Sequence, residues 1–321
     1  MKALVTGVPG FVGNYLARLL LEEGLEVWGT SLDGMEKMDD DISDKVNLIS
    51  CDIREINQVK NILEVCNPDY IFHLAAQSNV AASWNDPANT FAVNVMGTVN
   101  LLDAVAALGT RSRTLMIGSG EEYGKVPVEQ MPITETTPLN PVTPYGASKA
   151  AVGLLFRQYL VRHGVPVMIA RAFNHIGAGQ APGFVAPDFA RQIAEIEHGL
   201  REPMIEVGNL EAERDFTSVK DIVRAYWILI QKGIPGEAYN VASGQVYKIQ
   251  RILDIMLGKS TKEISVVRDQ KRMRPADVPV VNVSISKIQT ATGWKPIENI
   301  EDTLEEVLDY WRAYIWGGRN E

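Results

Sequence analysis

Cysteine is almost missing from this sequence. Only Cys51 and Cys66 occur in 321 residues, at no paired spacing. That excludes a disulfide framework and a thiolate metal cluster, so no metal is expected. Basic charge is also short: 31 Lys and Arg face 40 Asp and Glu, a net charge of −9. A nucleic-acid partner, whose phosphates need a basic face, is therefore not expected. A small phosphorylated ligand is still admitted, because a few local donors and helix ends suffice to bind one. The start, Met1-Lys2-Ala3-Leu4-Val5-Thr6-Gly7, runs straight into a strand-like segment with no leader-like apolar region. No apolar run reads as long enough to cross a membrane, so the expectation is a cytoplasmic chain without a membrane partner. Internal repeats and low-complexity segments are absent too.

What is present is an ordinary globular composition, 46% hydrophobic and 22% charged. It is long enough for one large domain or two unequal ones. Near-continuous apolar runs at 3–5, 26–30, 46–49, 70–75, 114–117 and 165–170 read as strands. Such runs suit strands buried on both faces, as in a parallel sheet. Helix-length stretches at 12–23, 55–65, 90–108 and 148–163 lie between them. The alternation predicts an α/β fold, a Rossmann-type doubly wound parallel sheet. A Pro- and Thr-rich loop at 126–143 separates the fifth strand from its helix. Beyond 173 loops dominate, while 216–229 and 238–242 again read as helix and strand. The expected division is a dinucleotide-binding domain at 1–172, returning at 216–244. A smaller, interleaved lobe takes 173–215 and 245–321. In the tail, Thr303 and Glu306 fit a capping box, and Leu304, Val307, Leu308, Trp311 and Ile315 form one apolar stripe.

Thr6-Gly7-Val8-Pro9-Gly10-Phe11-Val12-Gly13 follows the first strand and opens the first helix. Glycines at 7, 10 and 13 allow a tight turn, and backbone amides can then approach a pyrophosphate at the helix N-terminus. In a strand-turn-helix, dinucleotide binding outweighs a plain turn. Asp52-Ile53, after the third strand, suits either an adenine amine or a helix N-cap. At the end of the second strand an acid would bind the ribose 2′-hydroxyl and an Arg the 2′-phosphate of NADP. Ser31 stands there instead, with Asp33 or Lys37 as substitutes, so NADP(H) and NAD(H) both remain open.

Pro144-Tyr145-Gly146-Ala147-Ser148-Lys149 places Tyr and Lys four residues apart, on one helix face. A neighbouring ammonium favours phenolate, which suits a general acid/base for a carbonyl/alcohol pair. Ser119, in Gly118-Ser119-Gly120-Glu121-Glu122-Tyr123-Gly124, ends the fifth strand, where α/β sheets place their ligands. An isolated Tyr and Lys would more often be surface residues; the glycine-rich start and the strand-end Ser reverse that reading.

Together these motifs resemble the extended short-chain dehydrogenase/reductase superfamily over essentially the whole chain. The resemblance implies Tyr145 as proton donor, Lys149 holding the nicotinamide ribose and acidifying Tyr145, and Ser119 orienting the substrate oxygen. It further implies that Leu74, Ala75 and Ala76 let the cofactor lie close, with Gln77 and Ser78 beside the substrate. Asn94 matches the superfamily's helix Asn; as a bare residue it is a polar side chain in a helix.

Three segments narrow the substrate. Arg171-Ala172-Phe173-Asn174-His175-Ile176-Gly177-Ala178-Gly179-Gln180 is similar to the loop of GDP-6-deoxy-4-keto-D-mannose reductases. Val207-Gly208-Asn209-Leu210 with Arg214-Asp215-Phe216 resembles a segment shared with GDP-mannose 4,6-dehydratases. Met273-Arg274-Pro275-Ala276-Asp277-Val278 resembles the segment on the diphosphate side. Asn174, Arg214 and Arg274 carry donors that a diphosphate needs, Arg bidentately. Val185, Gly208, Asn209 and Asp277 are carried over as further substrate residues. The implied substrate is a GDP-sugar, reduced at a C4 keto group. Dehydratases carry Thr-Ser/Asp-Glu at the fifth-strand end; here Ser119-Gly120-Glu121 keeps only Glu121, leaving dehydration as the alternative and 4-epimerisation behind it. A cofactor-binding regulator would have lost Tyr145 or Lys149.

The stretch 148–163 is apolar nearly all round, with Ala150, Ala151, Val152, Leu154, Leu155, Phe156, Tyr159, Leu160 and Val161. The 90–108 helix is similar. One face can pack on the sheet and the other needs a cover. A second copy would cover both as a two-fold four-helix bundle, which the resemblance also implies; the alternative cover is the chain's own second lobe.

Overall fold

The computed structural model describes residues 1–32, 38–109, 111–272 and 279–317. The chain opens with β1 (Lys2–Thr6), α1 (Phe11–Glu22), β2 (Glu26–Ser31), the one-turn α2 (Asp40–Ser43), β3 (Val46–Ser50), α3 (Ile56–Cys66) and β4 (Tyr70–His73). Short helices α4 (Val80–Asn85) and α5 (Pro87–Phe91) follow, then a π-helical turn at Ala92–Met96 that runs into α6 (Gly97–Leu108). Next come β5 (Arg113–Ser119), a 3₁₀ turn at Gly120–Glu122, α7 (Pro144–His163) and β6 (Val167–Ala172). The remainder is β7 (His175–Ile176), α8 (Val185–Glu197), β8 (Met204–Val207), β9 (Glu213–Asp215), β10 (Thr217–Ser218), α9 (Val219–Lys232), β11 (Ala238–Val241), β12 (Val246–Lys248), α10 (Ile249–Gly258), β13 (Ser265–Arg268), α11 (Ser286–Thr292) and α12 (Ile300–Gly317).

Seven strands form one sheet in the order β11-β6-β5-β4-β1-β2-β3, every pair parallel. Ala3, Leu4, Val5, Ile71, Phe72, Val167 and Ile169 are wholly buried, because helices cover both faces of these strands. One core joins Leu16 and Leu20 of α1 to Ile222 and Leu229 of α9. On the opposite face Val59 and Ile62 of α3 meet Leu101 and Val105 of α6 and Val152 and Phe156 of α7. A separate core gathers Phe189 and Ile193 of α8, Ile252 and Met256 of α10, and Leu304, Val307, Leu308 and Trp311 of α12. From β1 the chain winds outward through β2 and β3, then returns to place β4 on the other side of β1. That reversal opens a crevice above the C-terminal ends of β1 and β4, where such sheets bind ligands.

Several element ends differ from the sequence reading. The helix expected at 148 starts at Pro144, because Thr143 accepts a hydrogen bond from the Gly146 amide and Pro suits the first helical position. The helix expected from 216 starts at Val219, since Thr217 and Ser218 pair as a strand with His175 and Ile176. The Thr303–Glu306 capping box is not formed. Asn299 caps α12 by accepting from the Glu301 amide at 2.8 Å, which leaves Thr303 inside the first turn with its hydroxyl on Asn299 O. Glu306 instead pairs with Lys220 at 2.6 Å.

One helical stretch, Pro87–Leu108, is long and apolar enough by composition to cross a membrane, contrary to the reading that no run is. Here Leu101, Leu102 and Val105 fill the core against α3 and α7, and Asn94 and Asn100 are hydrogen-bonded inside the fold.

Candidate active site

The turn between β1 and α1 lies in the crevice. Gly7 has φ +70°, and a Cβ there would sit 2.9 Å from Ala75 Cα, so glycine lets the turn close onto the end of β4. Thr6 Oγ1 accepts from the Ala75 amide at 3.1 Å and fastens the same two ends. Gly10 precedes α1 without any side-chain cap, so the first turn, Phe11-Val12-Gly13, offers its backbone donors toward the crevice. Half-buried Leu74, Ala75 and Ala76 form the neighbouring wall. These features fit a dinucleotide: a donor-rich helix end for the diphosphate, and small residues for close approach.

At the adenosine end, Ser31 is buried at the tip of β2. Asp33 and Lys37 lie outside the described residues. Asp52 does not cap α3. Its carboxylate accepts from the Arg54 amide (2.9 Å) and guanidinium (2.6 Å), a local turn that Asn100 braces through the Ile53 and Arg54 carbonyls. The Arg54 ion pair holds the Asp52 carboxyl below its usual range. Ile53 is buried against Gly97.

Ser119 ends β5, and Tyr145 and Lys149 occupy the first turns of α7 directly above it. The Ser119 hydroxyl accepts from the Glu121 amide at 3.2 Å and lies close enough to the Tyr145 phenol to favour its ionised form. The Lys149 ammonium donates to the Ile117 carbonyl at 2.8 Å and lies 5.9 Å from the Tyr145 ring centre. Burial pushes the phenol up to about 12, partly opposed by the Ser119 hydroxyl. Burial brings Lys149 down to about 8, with Glu122 acting against it. Desolvation sets the direction, and the ammonium expected to acidify the phenol is not among the groups that shift it. His73, beneath them, is pulled down to about 3 by burial and then by Lys149, so it is neutral, bonded to Thr6 (2.8 Å) and Thr98 (3.1 Å).

A 39%-identical relative, GDP-6-deoxy-D-mannose reductase of Pseudomonas aeruginosa, aligns over 77% of this chain and 82% of its own length. The family model described as GDP-mannose 4,6 dehydratase matches residues 4–307. The chain belongs to the GDP-mannose 4,6-dehydratase family. GDP-mannose 4,6 dehydratase 2 of Arabidopsis thaliana is 31% identical over 96% of this chain and 86% of its own. Among solved structures, RMD from Pseudomonas aeruginosa complexed with NADPH superposes with a TM-score of 0.85 at 34% identity. That match covers 98% of this chain and 99% of the other. The seven-stranded sheet and its flanking helices are thus those of an extended short-chain dehydrogenase/reductase.

Within this family fold, the remaining sequence candidates divide into several groups. Asn94 sits in the π-helical turn and clamps three elements: its Oδ1 accepts from the Gln77 amide (2.8 Å), and its Nδ2 donates to Gln77 O (3.1 Å) and Ser148 Oγ (2.9 Å). Gln77 is half-buried and Ser78 exposed at the crevice edge. Asn174 is exposed, its carbonyl accepting from the Thr217 amide, and Arg214 lies on β9. Val185 begins α8, a Cβ on Gly208 would strike the Arg272 carbonyl, and Asn209 turns back onto the Glu211 amide. Arg274 and Asp277 lie outside the described residues. The 173–180 loop closes over the glycine-rich turn: His175 stacks on Phe11 (6.2 Å, 7°), and Tyr15 donates to Ala178 O at 3.0 Å.

Glu121 is exposed, whereas its neighbour Glu122 is completely buried and paired with Arg171 at 2.8 Å. Sequence reasoning passed over Glu122, Arg171 and the packing of Phe173. A signal was there for the first two: a lone Arg inside an apolar parallel strand needs a buried counter-charge.

Proposed function

We propose that this enzyme reduces the C4 keto group of GDP-4-keto-6-deoxy-D-mannose with NADPH or NADH, giving a GDP-6-deoxyhexose such as GDP-D-rhamnose. Bound NAD(P)H supplies the hydride. Tyr145 holds the proton that goes to the sugar O4, and Ser119 orients that oxygen through its hydroxyl. Lys149 places a positive charge beside the phenol and takes the nicotinamide ribose. Gly7, Gly10, Phe11, Val12 and Gly13 take the diphosphate of the cofactor, and Ser31, Asp52 and Ile53 its adenosine end. Leu74, Ala75, Ala76 and Asn94 wall the cofactor. Gln77, Ser78, Asn174, Val185, Gly208, Asn209, Arg214, Arg274 and Asp277 receive the GDP-sugar.

The observation that carries reduction over dehydration is at Gly120. A Cβ at this position would lie 2.7 Å from the Phe173 ring, so the middle polar residue of the dehydratase triplet has no room. Glu121 keeps dehydration as the second reading, because a strand-end carboxylate is what removal of water across C5–C6 would use.

Around this activity we place a dinucleotide domain at 1–172 with its return at 216–244, and a GDP-sugar lobe from the rest. The working form is a cytoplasmic homodimer through the 90–108 and 148–163 helices, with no nucleic-acid or membrane partner. The dimer is supported by exposed apolar residues on these helices: Leu154 (68%), Val161 (86%) and Met96 (53%).

The test is absorbance at 340 nm. Purified protein is given GDP-4-keto-6-deoxymannose with NADPH or NADH, and GDP-mannose in parallel. Stoichiometric oxidation with the keto sugar alone is expected and names the cofactor. Conversion of GDP-mannose without added cofactor, and no oxidation with the keto sugar, would replace reduction by dehydration.

A further inference from the structure

Glu122 lies at the bottom of the site with no exposed surface. Its Oε1 accepts from the backbone amide of Ser119 at 2.8 Å, and its Oε2 accepts from Arg171 Nε at 2.8 Å. Arg171 Nη1 donates to the Tyr123 hydroxyl (3.0 Å), which donates to Asn240 Oδ1 (2.7 Å). A continuous hydrogen-bonded chain thus runs from β11 across β6 to the residue that ends β5. Two glycines make room for the carboxylate. A Cβ on Gly118 would fall 2.4 Å from Oε1, and one on Gly153, a turn beyond Lys149 on α7, 3.1 Å from Oε2. Glu122 is therefore wedged between the strand that carries Ser119 and the helix that carries Lys149.

We propose that Glu122, clamped by Arg171, is a positioning residue for the reaction: it fixes the Ser119 backbone from below and supplies buried negative charge, shared with Arg171, that partly balances the Lys149 ammonium. Other groups around Lys149 do not supply that balance. His73 on β4 is neutral, and Tyr145 on the same helix is a protonated phenol. Arg171 on β6 is itself a cation; its ion pair works against the burial that pushes the Glu122 carboxyl up, so Arg171 and Lys149 share this one carboxylate. The Glu122 charge works against the desolvation of Lys149. Its hydrogen bond to the Ser119 amide works on geometry, since the Ser119 hydroxyl must face Tyr145.

The titration of Lys149 tests the electrostatic half without turnover. In the full chain carrying ¹³C-labelled lysine, the Lys149 resonance is assigned by its loss in Lys149→Met. Glu122→Gln keeps the size and an acceptor for the Ser119 amide but removes the charge. It should lower the Lys149 midpoint by about one pH unit or more. An unchanged midpoint overturns the charge-balancing role. Glu122→Asp keeps the charge and the Arg171 pair but cannot span from Arg171 to the Ser119 amide. Its Lys149 midpoint should stay at the wild-type value while kcat for the keto sugar falls about tenfold with KM little changed, as expected when only the reacting geometry loosens. Wild-type kcat in this variant overturns the positioning role even if Glu122→Gln does not fold. The kinetic arm rests on the reductase reading and the NMR arm does not, so failure of that reading leaves the Lys149 titration to stand alone.

Discussion

The Phe173 ring occupies the space that any side chain on Gly120 would need, 2.7 Å from the position of its Cβ. Phe173 cannot easily give way, since it is 7% exposed and stacked on Tyr123 with ring centres 6.1 Å apart. Gly120→Ser, which moves the triplet toward the dehydratase pattern, should therefore destabilise the protein by about 1–3 kcal/mol through overpacking. It should not confer conversion of GDP-mannose. Phe173→Ala alone should lose about 3–5 kcal/mol, and the double variant less than the sum, with a coupling of about 0.5–3 kcal/mol in urea denaturation. Strict additivity would mean that the two positions do not compete for space.

Most of the frame was legible in the sequence because the strands are buried on both faces and read as unbroken apolar runs, from Leu4 and Val5 to Val167–Ala170. Gly7 and the Tyr145/Lys149 spacing were legible for a related reason: each is local, set by one turn or one helical repeat. What escaped was set by distant partners. The exception is Thr303, a local miss, since Asn299 four residues earlier takes the cap. The seating of Glu122 depends on Arg171, 49 residues away, and on glycines at 118 and 153. Asn94 read as a plain helix residue, yet it joins Gln77 to Ser148, a contact no periodicity encodes.

That clamp makes a second prediction. Asn94→Leu leaves the half-buried Gln77 amide without its acceptor and the Gln77 carbonyl without its Asn94 donor, while Ser148 keeps its bond to the Tyr145 carbonyl. An unsatisfied buried polar group costs about 1–3 kcal/mol, so the midpoint in urea should fall accordingly. The m-value should stay constant, because the fold itself is retained. Asn94→Asp keeps the acceptor for Gln77 and should recover part of the loss. Equal losses in both variants would place the stabilisation elsewhere.

Lys149 supplies a pH signature. Its folded-state pKa is lowered to about 8 from 10.5, chiefly by burial. The charged form is therefore disfavoured in the fold, and the unfolded chain binds more protons between the two values. Stability tied to this group is reduced at pH 7 and rises as pH passes from 8 toward 10.5. Removing the charge in Lys149→Met should raise stability most at pH 7. The advantage should shrink by up to about 2 kcal/mol by pH 9.5, at roughly 1.4 kcal/mol per unit. The upper limit is set below the range where unfolded tyrosines ionise while Tyr145, pushed up to about 12, does not. Urea titrations of both proteins at pH 7 and 9.5 read this difference directly. A gap independent of pH would mean that Lys149 titrates normally in the fold.

The proposed dimer has its own test, and α7 decides where to make it. Its inward residues Val152 and Phe156 are 4% and 3% exposed against the sheet, so changing them would disturb the fold rather than the assembly. Leu154 and Val161 lie seven residues apart on the same outward face, 68% and 86% exposed, and nothing among the described residues covers them. Leu154→Glu places a charge where a second copy would pack. Because the site is open to water in a lone chain, the monomer should keep its thermal stability within about 0.5 kcal/mol. In sedimentation velocity the wild type should run as a dimer of the 35.4 kDa chain and the variant as a monomer. If Leu154→Glu sediments with the wild type as a dimer, the two-fold bundle is wrong. If the wild type itself is a monomer, the apolar face of α7 belongs to a different kind of contact.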